Sequence, residues 1–64
     1  MAKKMLIEVL DPQGVWIHYK IIYNYPGNIE RALQAALKTS LAAKSKTARA
    51  LEAGTNIVLK VENG

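Results

Sequence analysis

Two alternating runs on either side of one tight turn constrain this chain more than any other feature. Lys4 to Leu10 reads KMLIEVL, Val15 to Tyr23 reads VWIHYKIIY, and Asp11-Pro12-Gln13-Gly14 joins them. Side chains alternate between the two faces of a strand. Met5, Ile7 and Val9 therefore share one face of the first run. Val15, Ile17, Tyr19, Ile21 and Tyr23 share one face of the second. Asp, Pro and Gly at the first, second and fourth turn positions suit a type I turn closed by a left-handed glycine. That is a hairpin loop with a G1 bulge, which sets Asp11 opposite Val15. The register then pairs Val9 with Ile17, Ile7 with Tyr19 and Met5 with Ile21 on the apolar face. It pairs Leu10 with Trp16, Glu8 with His18, Leu6 with Lys20 and Lys4 with Ile22 on the other. A slip of one residue would mix the two sets, so turn chemistry and face pattern support the same register.

Asn24-Tyr25-Pro26-Gly27 interrupts the second strand, because proline lacks a ladder donor and glycine frees the backbone. Asn28 is then expected to cap a helix, with Glu30 near its positive end. Apolar residues at 29, 33, 36, 37 and 41 make a helical stripe. The stripe fails near Lys44. An unbroken helix from Asn28 to Ala53 would bury Ser40, Lys44 and Thr47. It would also run about 39 Å, against about 23 Å for a strand of the length seen in the first run. The expectation is therefore a helix at 28–43 and a second, short one at 46–53, capped by Ser45 and stopped by Gly54. The unbroken helix is the alternative. Asn56 to Glu62 reads NIVLKVE, with Ile57, Leu59 and Val61 expected on the core face.

The predicted fold is a small α+β domain in ββα(α)β order. Its three-stranded sheet carries one or two helices packed on one face. A right-handed crossover would lay the last strand beside the first. The whole chain, 1–64, reads as one domain.

A chain of 64 residues buries only about 60% of its unfolded surface, which leaves stability marginal. It has no Cys, so no disulfide or thiolate metal site staples it. Small domains often gain stability by association, so a homo-oligomer, most simply a homodimer, is expected. No run approaches the ~18 apolar residues that span a membrane. Met1-Ala2-Lys3-Lys4 leads straight into a strand-like run, without the features of a signal peptide. A cytoplasmic setting is expected, with no membrane contact.

The chemistry of an enzyme is missing from this reading. The chain has one His, and its only Asp sits in the turn. The glycines, at 14, 27, 54 and 64, form no phosphate loop. A non-enzymatic protein without cofactor or metal is expected.

Binding is then the remaining class, and two surfaces compete for it. Nine Lys and Arg against five Asp and Glu give a net charge of +4, which favours acidic partners. Lys38, Lys44, Lys46 and Arg49 form a run with no acidic residue between them. On a helical wheel Arg31, Lys38 and Arg49 fall opposite the apolar stripe. With Lys20 from the second strand, they are the candidate phosphate contacts of a small basic nucleic-acid-binding protein. A solvated helix face is the bland alternative. The other surface is the second sheet face, with Leu6, Leu10, Trp16, His18, Ile22 and Val58 as candidate contacts. Such an apolar cluster around a Trp suits a subunit or partner interface, as in an inhibitor or adaptor. The same face, with Trp16 and His18 between Lys4, Lys20 and Lys60, could instead stack single-stranded bases. For His18 alone, the functional reading is a pH-sensitive or nucleic-acid-contacting group, and the plain reading is a cross-strand partner for Glu8 on a partly exposed face.

Overall fold

The computed structural model of this chain describes residues 2–39 and 46–64. Its elements run β1 (Lys4–Leu10), β2 (Trp16–Tyr23), α1 (Asn28–Leu37), β3 (Thr47–Glu52) and β4 (Val58–Asn63). The strands form an antiparallel sheet in the order β2-β1-β3-β4. Helix α1 crosses one face, mainly over β1, β2 and β3. The α+β class is as expected, but the sheet has four strands rather than three.

The extra strand replaces the predicted second helix. Residues expected to be helical over 46–53 form β3 instead, and α1 ends at Leu37 rather than 43. Ser45, the expected cap, lies outside the described residues. TARALE is rich in helix formers, yet it also alternates. Ala48 and Ala50 are fully buried against α1, opposite Val9 and Ile7 of β1, while Arg49 turns the other way. Tertiary context decides such a segment, because strand propensity is mostly a matter of fit to a half-buried surface. The last strand pairs with β3, not with β1 as the crossover argument had it. Gly54, expected as a helix stop, has φ 79° between β3 and β4.

The hairpin turn forms as its residues dictate. Asp11 N–H donates to Val15 C=O at 2.9 Å and Gly14 N–H to Asp11 C=O at 3.0 Å. The Asp11 carboxylate accepts from the N–H groups of Gln13 and Val15 at 2.9 and 2.8 Å. Gly14 takes φ 85°, the left-handed value the loop requires. Leu10 pairs with Trp16, Val9 with Ile17 and Glu8 with His18, as expected.

Beyond Glu8 the register slips. Ile7 pairs with Lys20, Leu6 with Ile21, Met5 with Ile22 and Lys4 with Tyr23. Tyr19 is the extra residue of a β-bulge, and a one-residue insertion exchanges the faces of everything after it. Ile22, expected outside, packs against the core, and Tyr19 stays with it. Lys20 also moves to the helix side. Ile21 and Tyr23, expected in the core, become exposed instead. Val15 is exposed as well, beside the turn.

The core is small. Met5, Ile7 and Val9 of β1 meet Ala32, Leu33 and Ala36 of α1 and Ala48 and Ala50 of β3. Ile57, Leu59 and Val61, expected there, are exposed. The register explains the last strand: Lys60 opposes Ala50 and Glu62 opposes Ala48, so these two face the helix side and Val61 faces away. Lys60 Nζ accordingly lies 3.7 Å from Glu30 Oε1 of α1. Gly27, with φ 81°, occupies the N-cap position expected for Asn28. The Asn28 amide instead donates to Tyr23 C=O at 3.0 Å, and its carbonyl accepts from Arg31 at 2.6 Å. It ties the loop to the strand.

Candidate functional site: the open sheet face

The face of the sheet opposite α1 has no covering element among the described residues. Its centre is built by three neighbouring strands. Glu8 on β1 has His18 on one side and Arg49 of β3 on the other. Trp16 lies two residues from His18 on the same face of β2. Glu8 Oε1 accepts a hydrogen bond from Arg49 Nε at 2.8 Å and lies 2.8 Å from Arg49 Nη2 in an ion pair. The Arg49 guanidinium lies over the Trp16 ring, 4.1 Å from its centroid. A planar cation so placed gains both a charge-assisted fork and the attraction of the ring quadrupole. The side chains of Arg49 and Glu8 are only 26% and 19% exposed. The cluster is therefore partly desolvated, and its charges balance within it.

His18 is exposed, and it neighbours Glu8 in register as expected. The Glu8 carboxylate is nevertheless turned to Arg49. Around the cluster runs an apolar belt. Leu6 and Leu10 of β1 are half-buried, and Leu51 of β3 is buried. Ile21 and Tyr23 are 49% and 52% exposed, and Val58 and Val61 of β4 are also exposed. Of the residues expected on this face, Leu6, Leu10, Trp16, His18 and Val58 are there. Ile22 is not, because of the bulge. Ile21, Tyr23 and Val61 join it unforeseen.

The expected phosphate contacts divide between the two sides of the sheet. Lys20 and Arg31 line a shallow groove of about 360 Å³ between β2 and α1, with Ile22, Asn28, Ala32 and Ala35. Lys20 Nζ also lies 5.8 Å from the Tyr19 ring centroid. Lys38 follows the last turn of α1. Lys46 precedes β3 with φ 51°, and its carbonyl accepts from Gly64 N–H. Arg49 is on the opposite sheet face from Lys20 and is already paired. Lys44 lies outside the described residues.

Among the described residues no group of three or more His, Asp or Glu side chains could hold a metal ion. Among them, too, no helix is long and apolar enough to cross a membrane. Comparison with protein families, with curated proteins and with solved structures found no match to this chain.

Proposed function

We propose that this protein is a non-enzymatic protein-contact module that works through its open sheet face. The carrying observation is the apolar belt around the Trp16–Arg49–Glu8 cluster. Exposed apolar surface of this kind, with an aromatic and an arginine at its centre, has the composition of an interface core. The cluster is held in place before any partner arrives, which lowers the ordering cost of binding. Its charges are internally balanced, so it suits an apolar partner surface better than a row of phosphates. Self-association is part of the proposal, since a chain this small gains stability from it.

A second reading retains one specific observation. Trp16, His18 and Tyr23 lie along β2 on the open face, and aromatic rows on sheets stack single-stranded bases. The placement of Lys20 and Arg31 on the helix side of the sheet, away from these rings, weakens it, because phosphate contacts and stacked bases act together.

Site-specific photocrosslinking in living cells tests the first reading. A photoreactive side chain at Ile21 should capture defined protein adducts. The same group at Gln34, on the exposed side of α1, should not. Equal capture from both positions, or none from Ile21, would refute it.

A further inference from the structure

Strand β4 is one edge of the sheet. Val58, Leu59 and Val61 are all exposed along it. An edge strand offers a row of free N–H and C=O groups. Its pairing with β3 fixes which ones these are. Gly64 N–H bonds to Lys46 C=O, and in the same register Glu62 opposes Ala48 and Lys60 opposes Ala50. Hydrogen-bonded and non-bonded pairs alternate along an antiparallel ladder. Lys60, Glu62 and Gly64 therefore direct their backbone groups at β3. Val61 and Asn63 direct theirs at the free edge.

Side-chain charge then selects a partner. Lys60 and Glu62 flank Val61 on the helix side of the strand. A lone lysine on an edge repels its own copy, which is a common guard against pairing. Lysine and glutamate two residues apart do the reverse. In an antiparallel pair centred on the residue between them, each lysine meets a glutamate. We propose that β4 pairs with β4 of a second copy of this chain, antiparallel and centred on Val61.

The backbone parity agrees with the charges. Val61 exchanges two N–H···O=C bonds with the partner's Val61 across a two-fold axis. Lys60 then falls opposite the partner's Glu62, and Glu62 opposite the partner's Lys60. Both are non-bonded pairs, where side chains approach most closely. The contact is self-complementary, as a two-fold dimer requires. Within the chain Lys60 is held loosely, 3.7 Å from Glu30 and 3.8 Å from Glu62, so it is free to swing to a new partner. The other edge lacks this pattern. On strand β2 the residues two away from Lys20 are His18 and Ile22, neither of them acidic.

This inference rests on the self-association named in the proposed function and places it at the sheet edge, whereas partner contact through the open face does not depend on it. Edge pairing leaves Trp16 and Arg49 uncovered, on a sheet twice as wide.

Sedimentation equilibrium of the full chain from about 1 μM to about 1 mM tests it, on wild type, Lys60→Glu, Glu62→Lys, their equimolar mixture and Ile21→Lys. Circular dichroism checks that each chain is folded. Wild type should be a dimer. Each charge variant alone should dissociate roughly tenfold more readily or worse, since two attractive pairs become repulsive. The mixture should recover a heterodimer, because one chain then offers two acids and the other two bases. The double variant, Lys60→Glu with Glu62→Lys, should dimerise like wild type. A monomeric wild type, single variants that stay dimeric, or a mixture that does not reassociate would each overturn the proposal. Dimerisation lost only in Ile21→Lys would also overturn it, and would assign self-contact to the open face.

Discussion

Replacing Arg49 with methionine removes a guanidinium that two neighbours hold at once. Methionine keeps the apolar stem, so the loss isolates the fork to Glu8 and the stack on Trp16. Fully exposed ion pairs contribute about 0.2–1 kcal/mol. Breaking a fully buried pair costs about 3–5 kcal/mol, because the other charge is stranded. With Arg49 and Glu8 26% and 19% exposed, the site lies between these limits. A loss of about 2 kcal/mol is expected for Arg49→Met. For a domain of this size that lowers Tm by about 8–16 °C. Double-mutant cycles by urea unfolding divide the loss. Coupling with Glu8→Gln should be about 1 kcal/mol, and with Trp16→Leu about 0.5–1 kcal/mol. Arg49→Lys should recover less than half of the loss, since an ammonium neither forks nor stacks. Couplings below about 0.3 kcal/mol in both cycles would refute the reasoning. Arg49 would then be a free cation, available to a phosphate.

Other consequences are as concrete. Leu33→Ala should cost about 2–5 kcal/mol by urea unfolding, a large share of the ~3–10 kcal/mol available to a chain this size, because Leu33 is 0% exposed. Gly14→Ala should cost about 1 kcal/mol through its φ of 85° alone, since an added Cβ would meet nothing within 4 Å. Lys3 Nζ lies 2.8 Å from Glu52 Oε1, and that hydrogen bond, aided by the negative charge, raises the Lys3 pKa above its usual 10.5. A raised lysine pKa stabilises the fold below pH 10.5 and ceases to do so as pH climbs through the folded value. NMR titration of Lys3 should show the raised value, and Glu52→Gln should return it to normal.

The hairpin was legible because two independent signals agreed. DPQG fixed the turn type, and the flanking alternation fixed the register as far as Glu8 and His18. The bulge was not legible. Ile21-Ile22-Tyr23 contains no polar residue to mark an outer side, so either phase fits the letters. That one ambiguity exchanged Ile22 for Ile21 and Tyr23 on the open face. Strand β3 was hidden differently. Ala, Leu, Arg and Glu are good helix formers, and the alternation in TARALE rests on alanines that no hydropathy pattern singles out. Once the segment is read as a strand, Arg49 leaves the helical basic stripe and arrives beside Trp16. The Trp16 cluster thus depends on contacts between β2, β1 and β3 that no local window contains. Strand β4 was expected as a strand, and Val58 lies on the face expected for it, but Lys60, Val61 and Glu62 have their faces reversed, because Leu59 is the extra residue opposite Ala50 and Leu51.

Trp16 is the only tryptophan in the chain, so its emission reports on whatever lands on the open face. Single-stranded DNA and RNA oligonucleotides should be titrated into the protein at ~20 mM and ~200 mM salt. If the face serves protein contact, Trp16 emission is expected to stay unchanged at both salts. Quenching at the lower salt that weakens by decades at the higher would contradict that reading and give the face to nucleic acid.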